Sequence, residues 1–382
     1  MLATETKRST TNGDAAEEPR LATLFSKDEV NTSRQWAFDF AKFIAIVGMV
    51  LVHTFIYIWD EDGLDEGFQY RLNNIYGGVL AAPVFMFAMG VGVAYSRSAG
   101  WSTMFVRGLR LLVAGYVLNV VRCLPQLLLW HAGYGDQHYG WFLEELLLFD
   151  ILPFAGMAFM LFALLRLFKA SPTVILLVGV ALSAFGAFVR CVDLGSMGLN
   201  LLCYPFVGIH VGELWSSFPL ANWFIFVASG YWFGKLIRRC TDADYLYALL
   251  TPAAGFLFCV GMIYLTTHNT GMFSEENDDF FYYLTPFDAF VCIMGAVMVA
   301  GIGHFLMPHE PQNVRHEVKR IASDVTRIYL IHWVFVCYLV GGLMDGLLDL
   351  YPNDLFLLAI GMAILVTSAW LARREPFTRI KI

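Results

Sequence analysis

Charge is scarce in this chain of 382 residues: Asp, Glu, Lys and Arg make up 15% of it, against 58% hydrophobic residues. A soluble chain of this length would split into two or three domains and would need more polar surface than that. The seven cysteines contain no CxxC pair and no His/Cys spacing of the metal-ligand kind, so no metal is expected. Cys123, Cys259, Cys292 and Cys337 lie in apolar stretches, where cysteine acts as a small hydrophobe. Cys191 and Cys203 flank one loop, and whether they pair is left open. The phosphate-loop pattern is missing too; the glycine-rich GVGVAYSRSAG at 90–100 reads as close helix packing or a turn. Nothing in the sequence argues for nucleic-acid binding. Residues 1–33 are polar and hold no apolar core of the signal-peptide kind, so they are expected to form a disordered or surface-lying tail.

Long apolar runs are what the chain has instead. Ten segments near 20 residues recur at 36–58, 78–96, 105–128, 143–168, 172–192, 219–237, 246–267, 285–307, 325–344 and 354–372. The expected fold is all-α, a polytopic membrane helix bundle of about ten transmembrane helices spanning residues 34–372. The connections alternate in charge. One set carries Arg97, Arg107 and Arg110, then Arg166 and Lys169, Lys235, Arg238 and Arg239, Arg315, Lys319 and Arg320, and the basic 373–382 tail. The other set holds DEDGLDEG at 60–67, HAGYGDQHYG at 131–140, the region 193–218, SEENDD at 274–279 and MDGLLDLYPND at 344–354. The positive-inside rule therefore puts both termini in the cytoplasm and the acidic, aromatic loops outside. The net charge of −7 says little about partners, because the signs are segregated by loop.

The first apolar run, WAFDFAKFIAIVGMVLVHTFIYI, is interrupted by Asp39, Lys42 and His53. Eleven steps of 100° bring His53 within about 20° of Lys42, and Asp39 lies within about 60° of Lys42, so all three share one stripe. Lys42 and His53 stand roughly 16 Å apart along the axis, with Lys42 towards the cytoplasm. Ionisable groups inside a membrane helix normally face a bundle interior or wet cavity and mark function. A neutral imidazole suits general-base work on a hydroxyl or amine, while a satisfied core histidine is the plainer reading. Asp39 is either the ion partner of Lys42 or a direct participant.

Arg107 and Arg110 are three apart where the third run begins. Two guanidiniums on one helix face could clamp phosphates, or could merely anchor the helix end at the membrane surface. Arg122 sits in mid-run and must find an acceptor, with Asp150 or Glu144 as candidates. Glu144 and Glu145 could orient a histidine or cap a helix. Arg190, at the outer end of the fifth run, could bind an anionic group of an acceptor or snorkel. His332, five residues from Arg327 in RIYLIHW, reads as a packing histidine.

These positions resemble the membrane-bound acyltransferase-3 family and the wider transmembrane acyltransferase superfamily, which includes heparan-α-glucosaminide N-acetyltransferase-like proteins. The family pattern of a basic residue, ten others and a histidine is similar to Lys42 through His53. Its Arg-x-x-Arg matches Arg107 and Arg110. Looser echoes are FDFAKFIAIVGMVLVH, APVFMFAMGVGVAYSRS, YGWFLEELLLFDILP and RIYLIHW, so the likeness runs over about 34–372. Lys stands where the family most often has Arg, and the Gly100–Trp101 turn resembles the heparan-type branch.

The resemblance implies acyl transfer from cytoplasmic acyl-CoA, acetyl-CoA above all, to a hydroxyl or amine of a cell-surface glycan or lipid-linked sugar on the outer side of a bacterial plasma membrane. In that scheme Arg107 and Arg110 hold the CoA phosphates. Lys42 binds the pantetheine–phosphate region or shapes the tunnel with Asp39, and Glu144 is the candidate to orient the histidine. His53 deprotonates the acceptor or briefly carries the acyl group. Arg122, Asp150 and Arg190 are the expected acceptor-binding residues. No hydrolase-like domain is fused at the C-terminus, so a stand-alone membrane module is expected. Membrane lipid, acyl-CoA and a carbohydrate or glycolipid acceptor are the expected partners, and a homodimer is open. A secondary transporter of a small polar or anionic solute is the rival reading, since it too would carry midplane charges and broken helices.

Overall fold

In the computed structural model, residues 23–56, 58, 68, 71–96, 100–134, 142, 145–211, 214–274 and 282–380 are described. Each of the ten expected apolar segments is helical over most of its described residues. In chain order the helices are α1 (Trp36–Phe55), α2 (Arg71–Tyr95), α3 (Trp101–His131), α4 (Ile151–Leu167), α5 (Pro172–Phe188), the short α6 (Met197–Cys203), α7 (Leu220–Arg239), α8 (Ala243–Thr267), α9 (Pro286–Leu306), α10 (Gln312–Phe335) and α11 (Asp354–Leu371). A two-residue antiparallel ladder, His210–Val211 with Leu214–Trp215, joins α6 to α7.

Among the described residues, eight helical stretches are long and apolar enough to cross a membrane. Two expected spans fall outside that group. Helix α5 has 17 residues, and α7 has 20 but carries Asn222 and Lys235 within it. The N-terminal tail is in part ordered: residues 23–33 lie along the surface, tied to the α7–α8 connection, while 1–22 are outside the described residues.

Side chains at the helix starts explain where several helices begin. Asp150, Ser171, Asp242 and Asn353 each accept a backbone N–H at an N-terminus. Thr285 and Asp288 form a reciprocal capping box at α9. Each cap satisfies a donor that hydrocarbon could not, and is worth about 1 kcal/mol. Boundaries differ from expectation where polar residues extend a helix. Helix α10 starts at Gln312, thirteen residues before the apolar run, because QNVRHEVKR is amphipathic and lies at the bundle's end.

Helix α1 is central, packing against α2, α9, α10 and α11. The most extensive contacts pair α3 with α4, α2 with α7, α5 with α7, and α8 with α9. Helices α2 and α7 touch backbone to backbone: a Cβ on Gly90 would lie 2.0 Å from the Val227 carbonyl oxygen, and one on Gly230 2.0 Å from that of Phe87. The glycine-rich stretch at 90–100 is thus a close-packing seam at Gly90, as small residues in membrane helices allow. Two long segments, Arg71–Ala81 and Val336–Asp345, are wound as π-helix; the second continues α10. Among the described residues no two cysteines are joined in a disulfide, Cys191 and Cys203 included.

Candidate active site

The stripe on α1 meets two separate groups of polar side chains, one near each end. At the lower end, Asp39 is buried and is bound by Arg34, through Nε to Oδ2 at 2.6 Å and Nη2 to Oδ1 at 2.8 Å. Arg34 also donates to Ser323 Oγ at 2.9 Å and to the Lys319 carbonyl at 3.2 Å, tying the start of α1 to α10. Asp39 therefore has Arg34 as its paired ion, which the expected Lys42 pairing did not anticipate. The chain just before α1 is not helical, so a residue five positions upstream reaches where a helical wheel would not place it. Lys42 is half-buried and lies within electrostatic reach of Asp39, Arg34 and Arg107.

At the upper end, His53 Nδ1 lies 2.8 Å from His332 Nε2 on α10. The His53 ring also stacks on Trp333, with centroids 4.1 Å apart and planes 26° from parallel. Arg122 of α3 packs its guanidinium 3.7 Å from the centre of the same Trp333 ring, and its charge reaches His53. Arg122 Nη1 donates to Asp150 Oδ2 at 2.9 Å, with Glu145 at 3.6 Å from Nη2. Tyr329 donates to the same Asp150 oxygen at 2.8 Å, while Asp150 Oδ1 accepts from Ile151 N at the start of α4. Asp150 thus caps α4 and links α3 to α10. On α10 the spacing of Tyr329, His332 and Trp333 (i, i+3, i+4) puts all three on one face, turned towards α1 and α3.

The two groups occur in the same order on α1 and α3. Lys42 acts on Arg107 below, and His53 is reached by Arg122 above. On α10, Lys319 and Ser323 meet Arg34 below, and His332 meets His53 above. The three helices therefore run in the same direction. Between them they hold cationic groups at one end and an imidazole pair at the other, about 16 Å apart along α1. The lower end can attract an anion, and the upper end can move a proton.

The other expected site residues are dispersed. Arg107 packs 4.7 Å over the Phe159 ring of α4. Arg110 is exposed and shares the outward stripe of α3 with Val106, Val113 and Val117. Arg190 acts electrostatically on Asp288 at the start of α9. Glu144 lies outside the described residues; its neighbour Glu145 is the carboxylate near Arg122. Arg327 pairs with Asp324 at 3.0 Å, away from His332. His332, Tyr329 and Trp333 were not singled out from sequence as site residues. A signal existed: three side chains with polar atoms at i, i+3 and i+4 in the otherwise apolar end of α10, residues 328–335.

Neither curated proteins nor solved structures provide a match to this chain. One family model does, described as an acyltransferase domain, and it covers residues 35–374. Its limits enclose α1 through α11, and with them both polar groups except Arg34, which lies one position before the match. The chain belongs to the membrane-bound acyltransferase-3 family.

Proposed function

We propose that the protein moves an acyl group, acetyl above all, from cytoplasmic acyl-CoA to a hydroxyl or amine of a glycan or lipid-linked sugar on the outer side of a bacterial plasma membrane. The observation that carries this reading is the order along α1: cations of α1 and α3 lie within electrostatic reach of each other below, and imidazoles of α1 and α10 adjoin above. Arg107 and Lys42 supply positive charge for the phosphates of the donor, and Arg110 adds charge at the mouth. Asp39, held by Arg34, keeps the lower end of the stripe in place.

The chemistry falls to His53. Its imidazole takes the proton of the acceptor O–H or N–H while the acceptor atom attacks the thioester carbonyl. The new C–O or C–N bond forms as the C–S bond breaks, and the proton passes to the leaving thiolate. Arg122 and Asp150, beside the ring, are the proposed acceptor contacts, with Arg190 as a more distant one. Positive-inside topology supports the direction, since it puts the Lys42 end in the cytoplasm.

The test is to supply membranes with acetyl-CoA labelled in the acetyl group and to follow the label into surface glycans. Wild type should transfer it. His53→Ala should not, while keeping its fold. Labelled solute accumulating inside vesicles with no acylated product would support the transporter reading instead.

A further inference from the structure

His332 is wholly buried on α10, in a helix whose neighbouring residues are Ile331, Trp333 and Val334. Both of its ring nitrogens are engaged. Nδ1 lies 3.3 Å from the carbonyl oxygen of Ile328, one turn back, and Nε2 lies 2.8 Å from His53 Nδ1. A carbonyl oxygen can only accept, so His332 Nδ1 carries a hydrogen. A neutral imidazole has one hydrogen, so His332 Nε2 carries only a lone pair. The proton between the two rings then belongs to His53 Nδ1, and His53 Nε2 is left bare. Turning either ring over would put carbon where nitrogen now makes these contacts. The opposite proton placement would set a lone pair against the Ile328 carbonyl.

We propose that His332 is a positioning residue which, by accepting from His53 Nδ1–H, holds His53 in the tautomer whose free Nε2 is the base. The proposal rests on the acyl-transfer reading and deepens it. The ring planes of the two histidines lie within 12° of parallel, and Trp333 stacks on His53 at 4.1 Å, so orientation and tautomer are fixed together. When His53 Nε2 takes the acceptor proton, the ring becomes imidazolium and its Nδ1–H bond to His332 becomes charge-assisted, hence stronger. Among the described residues no carboxylate hydrogen-bonds either ring. A histidine backed by a helix carbonyl thus stands where a carboxylate commonly orients a catalytic imidazole.

The test compares four full-length proteins in membranes: wild type, His53→Ala, His332→Gln and His332→Leu. A glutamine carbonyl can reach the position of Nε2 and accept from His53; leucine cannot. Transfer from labelled acetyl-CoA should fall at least ten-fold in kcat for His332→Leu, with KM for the donor little changed, within the ~10²–10⁴ contribution of a general base. His332→Gln should recover most of it. A role in packing alone predicts the reverse order, since leucine suits an apolar helix better than glutamine. The second readout needs no activity. In spectra of protein labelled with ¹⁵N at its nine histidines, the signals absent from His53→Ala should report hydrogen on Nδ1 in wild type and on Nε2 in His332→Leu. His332→Met takes the place of the leucine variant if that protein does not fold. Leucine matching or exceeding glutamine, or hydrogen on His53 Nε2 in wild type, overturns the proposal and leaves the acyl-transfer reading standing. Transfer surviving in His53→Ala removes the base itself.

Discussion

Arg122 and Asp150 face each other at 2.9 Å across the α3–α4 contact, and the same Asp150 oxygen accepts the Tyr329 hydroxyl from α10. One carboxylate therefore holds three helices beside His53. Removing it by Asp150→Ala would take from a buried guanidinium the carboxylate it holds at 2.9 Å, with Glu145 at the longer 3.6 Å. Losing one partner of a buried ion pair costs about 3–5 kcal/mol, whereas replacing both with apolar residues is often near neutral. Asp150→Ala should lower the thermal midpoint in detergent sharply, and Asp150→Leu combined with Arg122→Leu should recover much of the loss. A double variant as unstable as the single would show that the pair does not act as a unit.

Arg107 and Arg110 differ in surroundings although only three residues separate them. Both are exposed, but Arg107 packs on Phe159 within reach of Lys42, while Arg110 stands on the outward stripe of α3 with Val106, Val113 and Val117. If both bind the donor, each change to Ala should weaken acetyl-CoA binding by about ten- to a hundred-fold, the loss of one charge-assisted hydrogen bond at ~1.5–3 kcal/mol. The Arg107 variant should suffer more, being nearer the other cations. Arg110→Lys should recover only part, because it keeps the charge and loses the planar fork. Calorimetry with acetyl-CoA separates the cases. Full recovery by lysine, with poor expression of the alanine variant, would assign Arg110 to membrane anchoring.

The parallel course of α1, α3 and α10 constrains the topology. Helices α5 and α7 lie between α3 and α10 in sequence, so either both cross the membrane or neither does. The buried surround of α7 and its glycine seam with α2 favour both crossing. With the exposed Cys259 replaced by Ser, single cysteines at Ser196, Asp65, Asp136 and Glu276 should react with an impermeant thiol reagent added outside. Cysteines near Arg238 and Arg315 should stay unlabelled. If Ser196 shares the side of Arg238, α5 and α7 do not span; reversal of the whole pattern would put the Lys42 end outside.

How much of this was legible in sequence depended on whether a feature is local. The ten helices and the Lys42–His53 stripe follow from periodicity along one segment, so they could be read directly. Asp150 as the acceptor for Arg122 was one of two candidates, because both are the buried or edge-lying charges of adjacent helices. From sequence His332 reads as a packing histidine, because its meaning lies in another helix: α10 turns the face bearing Tyr329, His332 and Trp333 towards α1, and no spacing within RIYLIHW encodes that contact. Arg34 was missed for a related reason. It precedes α1 in extended chain, so its reach to Asp39 and Ser323 escapes a helical projection.

Acid should loosen the N-terminal segment before it affects the bundle. Glu29 pairs with Lys235 at 2.8 Å and with Arg238. The hydrogen bond from Lys235, with the two positive charges, holds its carboxyl below the ordinary value of 4.5. A depressed folded-state value means that the contribution is fully present above that ordinary value and is lost as pH falls through the lower one. Glu29 is about a third exposed, so screening keeps the effect small. Hydrogen exchange at residues 23–31 should speed up as pH drops below about 4.5, beyond the intrinsic trend, and Glu29→Gln should show the faster exchange already at neutral pH. Identical protection in the two proteins at pH 7 would leave Glu29 no part in fastening the segment.

That segment also determines where the protein can be shortened. Backbone bonds from Ser26, Val30 and Asn31 run to Arg238 and Arg239, Thr241 N bonds to the Leu24 carbonyl, and Tyr95 reaches the Asn31 carbonyl. The family match begins at residue 35, one position after Arg34. A gene trimmed to that boundary would encode every transmembrane helix, yet it would strip the buried Asp39 of its counter-ion and leave Lys235 and Arg238 without Glu29. A start near residue 22 keeps these fastenings, so the smallest enzyme worth expressing is longer than its recognisable domain.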